Sequence, residues 1–318
     1  MNKKAIVLLL ATALGAPVAH AQKAVKATRS LPILEYATSA RSAALGGNHY
    51  GESDVAHLYT NPTSLLYQSS NFSVAGGLRS FGKIEGLDGS LNLYDATVGL
   101  RFGSHAFFGG VRYLGGLKFT PIDQNERAKK SRNLYDYTAD LGYAYRFGIF
   151  SVYGSYIYTD QGSASSAVVF GGGAFVRSSE EPASTGLDFI LGAKVDNLGA
   201  GYKQSSRSKM AYPPAYAGIG GEIGYGVEGE HHLSLGAGLD YFFYPTNSSS
   251  AALHFGGEYL YHQMFALRAG YQHDTNGVKG FSAGLGLRFK PLAIDAAYLA
   301  PTYTDGKPSF LLTLGLNL

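Results

Sequence analysis

From about Phe72 to the C-terminus, hydrophobic and polar positions alternate with a period of two, the spacing that sends successive side chains of an extended chain to opposite faces. In "PSFLLTLGLNL", Phe310, Leu312, Leu314, Leu316 and Leu318 share one parity and Ser309, Thr313, Gly315 and Asn317 the other. "KGFSAGLGLRFK" and "HHLSLGAGLDYFFY" repeat the pattern, with Leu285 and Leu287 opposing Arg288, and Leu233 and Leu235 opposing Ser234 and Asp240. Such ribbons predict about fourteen strands of roughly 8 to 14 residues, close to the length a tilted strand needs to cross a bilayer. They fall near 71–80, 93–102, 105–117, 133–147, 149–159, 164–177, 186–197, 214–225, 230–244, 251–261, 264–273, 280–289, 292–299 and 308–318.

The connections sort by parity. Gly103-Ser104, Gly148, His262-Gln263 and Lys290-Pro291 are tight turns, whereas "PIDQNERAKKSRN", "LGAGYKQSSRSKMAYPP", "PTNSSS" and "PTYTDGKP" are long and polar. Alternating short and long loops suit an all-β, transmembrane, antiparallel up-and-down barrel, with turns in the periplasm and loops outside. "SSEEPAST", where a short turn is expected, is an exception without a sequence-level reason. Charges at the inward parity include Asp240, Glu258, Arg268, Arg288 and Asp295, with Arg79, Asp95, Arg101, Arg112, Asp136, Asp140, Arg146, Asp188 and Lys194. Facing lipid, each basic one would cost about 2–4 kcal/mol at the midplane. A polar lumen is the expected place for them.

The chain ahead of the alternation reads differently. Residues 1–21 have Lys3 and Lys4, an apolar run and Ala19-His20-Ala21, the pattern of a cleaved secretory signal, so Gln22 is the expected mature start. Residues 22–70 form an N-terminal periplasmic or plug segment, and 71–318 the barrel. Within that segment "TSARSAAL", closed by Gly46-Gly47, reads as a short tight element with a helix-ending glycine, and "SDVAHLYTNP" as a short helix capped by Ser53 and stopped before Pro62. A plug in the barrel mouth and a periplasmic linker both fit.

Composition agrees with a membrane-facing β protein: 43 Gly, 24 Tyr and 18 Phe occur in 318 residues, but only 15% are charged. The net charge of +3 is scattered, which argues against a nucleic-acid partner, and the absence of Cys removes disulfides, thiolate chemistry and a lipoprotein anchor. No cofactor, metal or catalytic pattern emerges. His231-His232 would point to opposite faces of a strand, and "FGGGAF" lacks the Lys-Ser or Lys-Thr of a phosphate loop. The run Arg127, Lys129, Lys130, Arg132 falls in an expected external loop, a candidate contact for lipopolysaccharide or a protein partner.

"SARSAALGGN" followed by "LYTNPTSL", with "KVDNLG" and the late "GGEYLYHQMFALRAGYQ…GFSAGLGLRF", resembles the PorV/PorQ family of FadL-like outer-membrane barrels. The resemblance singles out Arg41, Gly46, Gly47, Asn61 and Pro62 as the plug, or hatch, motif. Thr63 stands where the family usually has Ala, and Leu318 where barrels commonly end in an aromatic residue. The resemblance implies a non-enzymatic component of type IX protein secretion in the outer membrane. Such a protein meets other secretion-system subunits or cargo with C-terminal signal domains. Two other classes stay open: a FadL-like transporter of hydrophobic compounds, and a barrel enzyme.

Overall fold

The computed structural model describes residues 31–53, 56–121, 130–160, 166–203, 210–244, 249–304 and 306–318. Strands β1 (Phe72–Gly82), β2 (Asp88–Phe102), β3 (His105–Phe119), β4 (Arg132–Phe147), β5 (Phe150–Asp160), β6 (Ser166–Arg177) and β7 (Gly186–Gly199) make the first half of a sheet. The second half comprises β10 (Ala215–Val227), β11 (His231–Tyr244), β12 (Ser250–Tyr261), β13 (Phe265–Asp274), β14 (Lys279–Phe289), β15 (Leu292–Pro301) and β16 (Ser309–Asn317). Each pairs antiparallel with its neighbour, and β1 closes on β16 to form a barrel with no free edge. The two halves join through a long connection that carries its own two-stranded ladder, β8 (Tyr202–Lys203) and β9 (Met210–Ala211), which alternation alone does not reveal.

The two faces of this sheet meet different surroundings. On the outside, Leu187, Leu235, Leu285 and Phe310 are each more than 60% exposed, and the same parity continues around the barrel. On the inside, Asp95, Arg112, Asp140, Lys194, Asp240, Glu258, Arg268 and Asp295 are buried. A water-soluble protein does not leave a continuous apolar belt of this extent uncovered. Lipid satisfies it, and the closed ladder satisfies the backbone that lipid cannot.

Strand ends differ from the sequence expectation by a few residues, mostly because the ladder runs on into the long-loop rim, as in β2, which begins at Asp88. "SSEEPAST" also has a physical reason. It folds across the short-turn rim, where Glu180 pairs with Arg146 at 2.6 Å and the Ala183 amide donates to Asp188 Oδ2 at 2.7 Å. The hydrogen bond from Arg146, together with its charge, holds the Glu180 carboxyl below its usual range.

Inside the barrel, every described residue of the segment 31–67 is buried or half-buried. Ser39 caps helix α1 (Ala40–Ala44), its side chain accepting from the Ser42 amide at 3.2 Å, and Gly46 and Gly47 leave the helix with φ of +70° and +82°. Among the described residues of the helix expected from Ser53 to Pro62, a single 3-10 turn forms, His57–Tyr59. Pro62 begins the next 3-10 helix, Pro62–Tyr67, rather than merely ending the previous element. Asn61 caps it: its Oδ1 accepts from the Thr63 amide at 3.2 Å and the Thr63 hydroxyl at 2.7 Å, which gives Thr63 a role Ala could not fill.

Leu285→Arg on β14 places a cation on the outer belt. It should destabilise the barrel by roughly 2–4 kcal/mol, read as a lower urea midpoint for loss of the heat-modifiable band in phospholipid vesicles.

Candidate functional site

The hatch is held because the lumen offers small residues where its backbone must approach and charges where its polar groups need partners. Side chains at Gly256, Gly270 and Gly284, on three successive strands, would collide with Leu45, Gly46 and Ala44, and those at Gly220 and Gly238 with the Tyr50 ring. This track of inward glycines is a moulded seat. On the opposite wall, Leu58, Leu65, Leu66 and Tyr67 pack with Ala106, Phe108, Ala144 and Phe175 in one apolar cluster.

Arg41 is the centre of the seat. Its Nε donates to Glu258 Oε2 at 3.1 Å, and its Nη2 to Glu258 Oε1 at 2.9 Å and to both Glu222 oxygens at 3.1 Å. Nη1 donates to the Glu52 carbonyl, within the hatch itself. Glu258 also accepts from Arg268, which forks onward to Asp295, and Arg288 stands 3.9 Å away. Three guanidiniums, Arg41, Arg268 and Arg288, therefore face three carboxylates, Glu222, Glu258 and Asp295. Balanced charge with forked geometry is what lets ions stay in an enclosed interior.

Other barrel cations grip the hatch at intervals. Arg112 pairs with Asp140 at 3.3 Å, donates to the Ile33 carbonyl at 3.1 Å, and lies over the Tyr59 ring at 4.4 Å. Tyr59 donates to Asp140 at 2.8 Å; burial and that carboxylate push its phenol well above the ordinary range, so it stays a donor. Lys194 donates to the Thr60 carbonyl at 3.3 Å, Arg177 pairs with Glu52, and Arg146 and Arg177 both cover the Tyr67 ring. Asp240 accepts from Tyr50 and, at 3.0 Å, from His254, whose other nitrogen meets the Gly46 carbonyl at 2.8 Å.

Of the residues singled out from sequence, Arg41, Gly46 and Gly47 therefore lie at the seat beside Glu258, Arg268, Arg288, Asp295 and Asp240. Asn61 and Pro62 lie lower in the hatch, where the Asn61 amide donates to the Gly51 carbonyl at 3.2 Å. Arg127 and Lys129 fall outside the described residues, and Lys130 and Arg132 are exposed at the start of β4. His231 and His232 do diverge: the first meets the Tyr259 hydroxyl at 2.7 Å, the second is buried against Asp188 at 2.7 Å. Glu222 and Arg177 were missing from the expected set. Glu222 was accessible to the same logic, since it shares parity with Gly218, Gly220 and Gly224, opposite Ile219, Ile223 and Tyr225.

Above the hatch, toward the long-loop rim, lies a cavity of about 680 Å³. Its floor includes Ser42, His49 and Tyr59 of the hatch, its walls Leu91, Ile157, Phe242 and Leu299, and its polar lining Arg79, Lys194, Asp196 and Asp240. Leu91 sits where the ladder breaks. Between Gly89 and Asn92 of β2 and between Leu114 and Leu117 of β3 the register shifts, and Gly116 in the gap adopts φ of +101°. That is a glycine-dependent kink in the wall beside the cavity. Among the described residues, no group of three or more His, Cys, Asp or Glu could hold a metal.

The fold and its two-faced surface define a transmembrane β-barrel with an internal hatch. No protein-family model and no curated protein matches the chain. Solved structures do. The toluene transporter TbuX of Ralstonia pickettii is similar at TM-score 0.56 and 13% identity, over 87% of this chain and 97% of that one. The toluene transporter TodX of Pseudomonas putida is similar at TM-score 0.54 and 12% identity, over 87% and 97%. A FadL homologue of Pseudomonas aeruginosa is similar at TM-score 0.50 and 12% identity, over 86% and 96%. At these identities the likeness establishes the architecture, a FadL-like barrel of fourteen strands.

Arg41→Ala strands Glu222 and should weaken the seated hatch by about 3–5 kcal/mol, as for one partner removed from a buried pair. Arg41→Lys keeps the charge without the fork and should fall between. Planar-bilayer recordings check this: a closed wild type, noisy openings in Arg41→Ala and rarer ones in Arg41→Lys.

Proposed function

We propose that the protein is an outer-membrane channel that admits a small hydrophobic or amphipathic compound from the long-loop side and passes it by the hatch. The carrying observation is the cavity above the hatch, of a size that encloses one small molecule, where aliphatic and aromatic side chains such as Leu91, Ile157, Phe242 and Leu299 alternate with charged groups of both signs. The β2–β3 kink beside Leu91 supports the reading, because a broken ladder is where a barrel wall can yield to an apolar passenger. The solved structures with this architecture include toluene transporters and a monoaromatic hydrocarbon channel. Short turns then lie in the periplasm, as in barrels of this type.

A second reading has its own observation. The hatch is clamped by a balanced ion cluster, which suits a barrel that stays shut and serves partners through its loops. With the PorV/PorQ-like motifs, that favours a role in type IX secretion, as cargo shuttle or partner anchor.

The test is the initial uptake of radiolabelled naphthalene by an outer-membrane host that lacks its own hydrocarbon channel. Expression of the barrel should raise the rate several-fold, and Leu91→Trp, which fills the cavity beside the kink, should return it toward background. Unchanged uptake by a correctly inserted barrel, with retention of a C-terminal signal domain on the purified protein, would favour the second reading.

A further inference from the structure

Arginines deep in the lumen face carboxylates: Arg112 faces Asp140, Arg177 faces Glu52, and Arg268 faces Glu258 and Asp295. Arg79, on the long-loop half of β1, does not. Among the described residues its acceptors are Ser309 Oγ at 3.2 Å and the Ala37 carbonyl at a long 3.5 Å, and its Nε is buried with no hydrogen-bond partner. Its guanidinium carbon lies 4.5 Å from the Phe81 ring centroid and 5.4 Å from that of Tyr36, two rings in contact with each other. Aromatic faces hold a guanidinium in place while leaving its N–H edge free, and five donors in a fixed fork exceed what Ser309 and Ala37 accept.

The open edge belongs to the cavity, which Arg79 lines together with Ile84, Leu91, Leu299 and Tyr303. Among the described residues none of the carboxylates on the same lining, Glu35, Asp196, Asp240 and Asp274, forms an ion pair with Arg79, and three of them have other donors. Asp240 accepts from Tyr50 and His254, Asp196 from Tyr153 at 3.1 Å and Tyr216 at 3.0 Å, and Asp274 from the Asn276 amide at 2.9 Å. A partly desolvated cation with no counterion among the described residues, beside the apolar side chains of Leu91 and Leu299, is a site for an anion brought by the ligand.

We propose that Arg79 determines the specificity of the cavity: its guanidinium forks onto the carboxylate of a compact aromatic acid whose ring lies against Leu91 and Leu299. This rests on the channel reading and narrows it, since a purely hydrocarbon passenger would leave Arg79 unanswered.

Two soluble probes of matched shape, 1-naphthoate and the neutral 1-naphthalenemethanol, separate the possibilities by calorimetric titration of the detergent-folded full chain. Wild type should bind the acid at least about tenfold tighter than the alcohol, the scale of one charge-assisted pair. Added salt should weaken only the acid. Arg79→Met should abolish that preference while retaining the alcohol, and Arg79→Lys should keep part of it. Heat-modifiable migration verifies folding, and where Arg79→Met fails to fold, the Arg79→Lys and salt comparisons decide. Equal binding of the two probes by wild type, or acid binding that survives Arg79→Met, would reduce Arg79 to a clasp for Tyr36 and overturn the proposal, leaving the channel reading standing. Binding of neither probe would overturn both.

Discussion

A sheet closed on itself with hydrocarbon against its outer face confines every charge on its strands to one enclosed space. That constraint shapes everything else in the molecule. Water alone would fill such a lumen and leave a pore, so a barrel that is to be selective must supply its own contents. Here the contents are covalently attached, and residues 31–67 bring one guanidinium, Arg41, to two carboxylates on strands that are not neighbours, Glu222 of β10 and Glu258 of β12. The glycine track on the wall sets the depth, because Ala44, Leu45 and Gly46 can reach their positions only where the opposing residues carry no side chain. Steric fit and charge balance thus select the same position for the hatch.

The hatch divides the interior unequally. Below α1 the space is filled by the apolar cluster around Leu65, Leu66 and Tyr67 and by the pair that Arg177 makes with Glu52 of the hatch. Above it the walls stand apart and the cavity remains. On the channel reading, a passenger meets a binding space before it meets a barrier. The two functional readings differ in what happens next, passage along the kinked wall or a permanently shut barrel that offers its loops to partners. The proposal for Arg79 bears on that difference, because a cation that holds a ligand is of use only to a barrel that takes something in.

Much of this was legible in the sequence, and the limits are physical. Alternation carries the burial side of every strand residue, so the inward placement of Asp240, Glu258, Arg268, Arg288 and Asp295 followed from parity, and so did the divergence of His231 and His232. Loop parity carried the topology. Alternation does not carry register, which is why the partners of Arg41 could not be named, even though the parity of Glu222 was readable. Nor does it carry the position of a segment without a period: plug and linker were equally compatible with residues 31–67, and the choice depends on close approaches at Gly256, Gly270 and Gly284 from strands far along the chain. The helix expected from Ser53 lacks its cap, because the Ser53 hydroxyl meets the Thr60 hydroxyl at 2.6 Å instead. Asn61 captures Thr63 and starts a new 3-10 helix, and among the described residues ahead of it a single turn, His57–Tyr59, forms.

The central claim, a lipid-embedded barrel whose hatch is seated in the lumen, is tested most directly by thiol accessibility in a chain that has no native cysteine. Ser64 is 1% exposed and its hydroxyl has no hydrogen-bond partner, so Ser64→Cys is nearly silent, while Ser104→Cys in the β2–β3 turn reports an exposed site. In folded, membrane-inserted protein with both faces open to reagent, a polymer-linked maleimide should label Ser104→Cys at once and Ser64→Cys only after unfolding. Equal labelling of the two in the folded barrel would contradict the seated hatch and the closed interior built on it.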